Sequence, residues 1–324
     1  MSKPTVRSHY LPRTYLKHFL SNGELFVYMK GEKFFKKEGM TSDQRVLSVR
    51  GEEGLTNIGL EKHLYDPEID GITSNDLEDI FNEYGERYYD QLIDEIKTIP
   101  VGADIPQEVK YRLCMFMASM RVRTPFFKNE IEQMDTSMRQ HFMSRQMEQI
   151  TPEGIVQFFK NEKNTEITLE FAEDVRKKIL NKDYGLKYPN AFFIKFALMF
   201  LEEQADIFHQ MSFSIYKSDR IFITNDNPVV YFVPKEKVNV YHSYKSLVSP
   251  YCELFCPLTK NIGLYVNWKK CAESVFSANH EMVDIFNFNL SINSFDYIIS
   301  PIKMKSLNVF AEKHIPYPLK FNIS

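Results

Sequence analysis

The hydrophobic period changes from helical to alternating near Ser212, and that change constrains the architecture more than any other feature. From Ser74 to about residue 210 the apolar residues recur at helical spacing, as in Leu77, Phe81, Tyr84, Tyr88, Leu92 and Ile96. At Ser212 the period becomes two, with Phe213 and Ile215 alternating with Ser212, Ser214 and Tyr216. A helical middle followed by a β-rich end is an α+β arrangement, with helices packed against a mostly antiparallel sheet region.

Punctuation refines this outline. Pro12 opens a short helix carrying Tyr15, Leu16 and Phe19 on one face, and Asn22-Gly23 closes it. Residues 24 to 30 then read as a strand, with Lys33-Phe34-Phe35 as its return partner. Residues 38 to 74, broken by Gly51, Gly54, Gly59, Asp66-Pro67 and Gly71, read as loop. Pro100 and Gly102 end the helix that starts at Ser74. Pro106 opens the next, with Val109, Leu113, Phe116, Met117 and Met120 inward, and Arg123-Thr124-Pro125 interrupts it. Further helices are expected over 126 to 149, 152 to 161, 168 to 180 and 190 to 210. Lys217-Ser218-Asp219 predicts a hairpin turn into Arg220 to Ile223. Strands are expected at 229 to 233, 251 to 256, 262 to 266 and 297 to 300, with a helix from about 277 to 293. The expected units are a small mixed segment (1–74), a helical region (75–210) and a β-rich region (211–324), joined as one integrated unit.

Composition narrows the function classes. Forty basic against 43 acidic residues give a formal charge of -3, which argues against a protein-wide grip on nucleic acid or anionic lipid but leaves room for a local basic groove. The densest basic run, Lys30, Lys33, Lys36 and Lys37, reads as a solvated hairpin edge. Cys114, Cys252, Cys256 and Cys271 form no C-x-x-C pair and no zinc spacing, so free thiols in a reducing cytoplasm are expected. The longest apolar stretch, Ala191 to Leu201, contains Lys195 and is about half the length of a bilayer span, which makes it a buried helix. No membrane association and no secretory leader are expected. No phosphate-cradling glycine loop, nucleophile elbow or dinucleotide fingerprint is present.

Two polar segments stand between apolar anchors and beside prolines: Ser8 to Leu16 and Ile223 to Val230. His9, in the first, suits a general base or metal ligand, or else a histidine that ties the N-terminal segment to the core. Arg13 suits a carboxylate or phosphate, or an internal bridge. Arg123 either faces the carbonyls at its helix end or lines a pocket opposite Asp226. Asp226 follows a strand, where it meets a metal or substrate, or forms a turn with Asn227-Pro228; Thr224, Asn225 and Asn227 would add substrate contacts. Glu78 and Glu86 lie roughly on one helix face and, with Asp226, would make a hard-metal site for Mg²⁺ or Mn²⁺; a charged solvent face is the plainer reading.

Four motifs, in order along the chain, resemble a bacterial family known as domain of unknown function 4238. They are His9-Tyr10 with Pro12-Arg13, Tyr15-Leu16 and Phe19; Arg123-Thr124-Pro125 after an apolar helix; Phe222 to Val229; and Pro257-Leu258-Thr259 after a strand. The resemblance implies no particular reaction. Two functions are therefore weighed. The first is a metal-dependent phosphodiester hydrolase, nuclease-like and set in phage defence, with His9 as base, Asp226 as metal ligand, and Arg13 and Arg123 stabilising charge on phosphorus. The second is a non-catalytic module that binds a small ligand or a protein. Both expect His9 and Asp226 to share one pocket.

Overall fold

The computed structural model describes residues 7–30, 46–62, 74–239 and 246–312. The N-terminal part holds β1 (Arg7–His9), α1 (Arg13–Leu16), β2 (Glu24–Met29), β3 (Val46–Arg50), α2 (Gly51–Gly54) and β4 (Leu60–Lys62). The middle holds α3 (Ser74–Phe81), a π-helical turn (Asn82–Glu86), α4 (Tyr89–Thr98), α5 (Gln107–Val122), α6 (Pro125–Glu148), α7 (Pro152–Lys163), α8 (Leu169–Leu180) and α9 (Asn190–Gln210). The last third holds β5 (Ser212–Lys217), β6 (Thr224–Asn225), β7 (Val230–Phe232), β8 (Glu253–Thr259), β9 (Ile262–Asn267), β10 (Ser274–Ser277), α10 (His280–Ile292), β11 (Tyr297–Ser300) and α11 (Lys305–Glu312). This is an α+β fold with the helices concentrated mid-chain.

Helix starts follow local chemistry. Thr124 and Thr151 each accept a hydrogen bond from the backbone N–H three residues on, and each is followed by a proline at the first helical position. Thr168 caps α8 in the same way without a proline. Helix α5 is the central one: Val109, Leu113, Phe116, Met117 and Met120 are all buried, and so are Lys110, Arg121 and most of its remaining faces.

Among the described residues the strands form three sheets. A five-stranded sheet runs β10-β5-β9-β8-β7, antiparallel except for the β10-β5 pair, and a four-stranded antiparallel sheet runs β3-β2-β11-β6. The third is the β1-β4 pair, in which His9 stands opposite Leu60. The four-stranded sheet matters most here, because it joins the N-terminal strands β2 and β3 to β11, about 270 positions further along the chain. One apolar core runs from Tyr10 through α5 and α9 to Ile299. Among the described residues no helix is long and apolar enough to cross a membrane.

Several local expectations are corrected. The hairpin return at Arg220 to Ile223 forms no strand, because β5 already has β9 on one side and β10 on the other and leaves no edge for it. The supposed loop over 38 to 74 contains β3, α2 and β4, short elements separated by its glycines. Lys30 is no hairpin-edge residue: it is buried, and its Nζ donates to the Ser291 and Ser294 carbonyls and to Ser294 Oγ. The partner expected for β2 at 33 to 35 lies outside the described residues, as do Lys33, Lys36 and Lys37; the neighbours of β2 are β3 and β11. All four cysteines are free.

Candidate functional site

A mixed-charge cleft forms where the first polar segment meets the helices. The segment is held by burial: Leu11, Tyr15, Leu16 and Phe19 are sealed in the core, which leaves Arg13 and Lys17, one helical turn apart, on the open side. Gly59 permits the close approach. It sits at φ +62°, and a Cβ there would lie 2.4 Å from that of Leu11, while its carbonyl accepts from the N–H groups of Tyr10 and Leu11. These contacts fix the backbone beside His9.

The cleft has a volume of about 440 Å³ and is lined by His9, Arg13, Thr14 and Lys17 from the N-terminal segment, by Glu78, Asp79, Asn82, Glu86 and Arg123 from the helices, and by Glu52 and Leu55. The π-helical turn is what aligns the two glutamates. Eight residues of plain α-helix would leave Glu86 about 80° round from Glu78; the wider turn changes that phase, and both side chains line the cleft. Gly85 makes the turn possible, since a Cβ there would lie 2.9 Å from Ser119 Oγ on α5.

Each cleft residue has a definable state. The His9 ring places Nε2 3.0 Å from the Thr56 carbonyl. A carbonyl only accepts, so Nε2 carries the hydrogen and Nδ1 is the nitrogen left to take or give a proton. Arg123, at the end of α5, donates from Nη1 to Glu86 Oε1 at 2.6 Å and from Nη2 to the His9 carbonyl, with its guanidinium 5.2 Å from the Phe81 ring centre. It therefore lines the cleft and holds both Glu86 and the His9 backbone in place. Burial pushes the Glu78 carboxyl above the usual carboxylate range, against the pull of Arg123 and His9. Arg13 is exposed and makes no ion pair among the described residues.

Asp226 is elsewhere, which corrects the expected common pocket. It is 2 % exposed, and its two carboxylate oxygens accept from the backbone N–H groups of Phe295, Asp296 and Tyr297. Three consecutive backbone amides converge on this carboxylate, and Asp226 does not line the cleft. Burial, reinforced by Asp296, raises its carboxyl to about 7 in spite of those donors. Asn225 donates from Nδ2 to the Leu290 carbonyl at 2.6 Å and accepts from Asn227 N–H, and both side chains are buried. Thr224 lies against Tyr15. None of Thr224, Asn225 and Asn227 lines the cleft. The expected Asp226, Glu78 and Glu86 metal set does not assemble, and no cluster of three His, Cys, Asp or Glu residues suited to a metal ion occurs among the described residues.

The sequence reading brought together His9, Arg13, Glu78, Glu86 and Arg123 and passed over Lys17, Asp79 and Asn82. Lys17 was legible, four residues after Arg13 on the same face. It also passed over a buried network: Arg121 donates to Glu130 at 2.8 Å, to Gln204 Oε1 at 2.8 Å and to the Tyr231 hydroxyl at 2.7 Å, joining α5, α6 and α9 to β7.

Fold and site together define an α+β protein with a mixed-charge cleft at the junction of its N-terminal segment and its helices. The chain belongs to the family described as Protein of unknown function (DUF4238), whose model matches residues 7–303. No curated protein and no solved structure matches it.

Proposed function

We propose that the cleft is the active site of a phosphodiester hydrolase that works by acid-base catalysis between His9 and Glu78. One observation carries this reading: an imidazole with Nε2 anchored, a carboxyl raised by burial, and an arginine with no ion pair among the described residues line the same hollow. Arg13 would hold the non-bridging phosphate oxygens with its forked donors. His9 Nδ1 would take a proton from a water as its oxygen bonds to phosphorus, and protonated Glu78 would give its proton to the leaving oxygen as the old P–O bond breaks. Arg123 would act as a positioning residue through its bonds to Glu86 and the His9 carbonyl.

The binding-module reading draws on a different observation, that Arg123 and Glu86 already form an ion pair with each other. One experiment separates the two: cleavage of bis(p-nitrophenyl) phosphate and of a short oligonucleotide, with and without added Mg²⁺ or Mn²⁺, by wild type, His9→Ala and Arg13→Ala. The hydrolase reading expects turnover by wild type and a loss of roughly 100-fold or more in His9→Ala, with its melting temperature lower by only a few degrees. Absence of turnover in wild type, or equal turnover in all three proteins, would overturn it.

A further inference from the structure

Beside the cleft, and sharing Lys17 with it, lies a second open hollow of about 510 Å³. Lys17, Lys97, Lys217, Lys260 and His18 line it, and no carboxylate does. Three of these side chains are paired with carboxylates that do not line the hollow. Asp90 holds both Lys17, at 2.5 Å, and His18, at 2.8 Å, while Asp94 holds Lys97 at 2.8 Å.

Lys217 and Lys260 are different. Lys217 ends β5, and its Nζ donates to the Lys97 and Ile99 carbonyls at the end of α4. Lys260, in the β8-β9 turn, donates from Nζ to the Leu20 carbonyl at 2.7 Å. Carbonyls satisfy part of each ammonium's hydrogen bonding and place it at a site of negative partial charge, but they do not neutralise it. Neither lysine has a carboxylate partner among the described residues. Burial lowers the Lys217 pKa with no charged neighbour opposing the shift. Two half-buried ammonium groups, brought together by separate elements and lacking a counter-ion, make a place for an external anion.

We propose that this hollow holds a phosphate of the same ligand whose neighbouring phosphate sits at Arg13, with Lys17 between them, so that the ligand is a nucleic-acid strand. This rests on the reading of the cleft as a phosphate site. The net charge of -3 fits a short local track rather than a wide basic face. Successive phosphates are also found in pyrophosphate and nucleoside triphosphates, so the test includes them.

The experiment is fluorescence anisotropy with a labelled single-stranded oligonucleotide, between about 50 and 200 mM salt, with pyrophosphate and ATP as competitors. The full chain is compared with Lys217→Gln/Lys260→Gln and with Lys97→Gln, whose half-exposed side chain is removable without disturbing the core. The double variant should bind at least about tenfold more weakly and lower the slope of log K against log salt by about 1 to 2; Lys97→Gln should lower it by up to about 1. Misfolding of the double variant is detected by circular dichroism, and Lys97→Gln then carries the test. No oligonucleotide binding by wild type, or the same affinity and slope in both variants, would overturn the proposal. Lysine-dependent binding of pyrophosphate or ATP in preference to the strand would overturn the assignment to nucleic acid. Because the readout is binding, a protein that holds the strand through these lysines but cleaves no diester would uphold this inference while removing the hydrolase reading.

Discussion

The Tyr15 hydroxyl donates to the Pro257 carbonyl at 2.9 Å and lies 2.6 Å from the Thr224 hydroxyl, all three groups being buried. A phenol has one hydrogen, and the carbonyl takes it, so Thr224 donates to Tyr15. The two polar segments are thus joined by a tyrosine within the core, and His9 and Asp226 play no part in the link. Tyr15→Phe leaves Thr224 Oγ1 and the Pro257 carbonyl without their partner. It should cost about 1 to 3 kcal/mol, read as a lower urea midpoint at unchanged slope; an unaltered midpoint would show that the link is not needed.

Asp226 should leave a signature in the pH dependence of stability. Its folded-state value of about 7 lies above its ordinary 3.8, so folding takes up a proton between those values. Stability from this group is therefore fully present below about pH 4 and is lost as pH rises through 7, by an amount that the shift bounds at about 4 kcal/mol. Urea unfolding at pH 5 and pH 8 should show a larger loss on going up in wild type than in Asp226→Asn. Equal changes in the two proteins would remove the raised carboxyl from the account. Asp226→Asn should also be the less stable protein at pH 5, since an amide nitrogen cannot accept from the three N–H groups.

The Arg121–Glu130 pair is nearly sealed, with side chains 7 % and 6 % exposed. Removing one member strands the other charge, so Arg121→Met should destabilise by about 3 to 5 kcal/mol. Adding Glu130→Leu should restore a large part of that loss, because the uncompensated charge is gone. A double variant no more stable than the single one would mean that packing of Phe127 and Tyr231 against the guanidinium, rather than charge, dominates there.

Gly85→Ala tests the π-helical turn. The added methyl meets Ser119 Oγ at 2.9 Å and its Cβ at 3.2 Å, so α5 or the turn must shift. A loss of about 1 to 3 kcal/mol is expected, with part of it recovered by Ser119→Ala. If the alanine variant matched wild type in stability and in His9-dependent turnover, the turn would not be what sets Glu86 in the cleft.

The helices were legible because their limits are local: Pro106, Thr124-Pro125 and Thr151-Pro152 announce starts through capping chemistry that needs no tertiary context. The α+β division followed from the change of period at Ser212. Half of the cleft was legible too, since His9 and Arg13 share one short segment and Glu78 and Glu86 one helical run. Asp226 was not, because the amides that enclose it belong to residues 295 to 297, some seventy positions on, and nothing near Asn225-Asp226-Asn227-Pro228 announces them. Lys30 misled for the same reason: in a lysine-rich run it resembles an edge residue, yet its ammonium bonds residues at the end of α10. The lysines of the second hollow come from the turn after α1, from α4, from β5 and from the β8-β9 turn, so only the folded chain brings them together.

The central claim is that the cleft takes a phosphate between Arg13 and His9. The most direct measurement is a titration of inorganic phosphate into ¹⁵N-labelled protein, following the imidazole resonances of His9, assigned by their loss in His9→Ala. The account predicts a saturable movement of the His9 Nδ1 resonance that disappears in Arg13→Ala, while Nε2 keeps the signature of its bond to Thr56. A His9 ring that stays unmoved at saturating phosphate would contradict it.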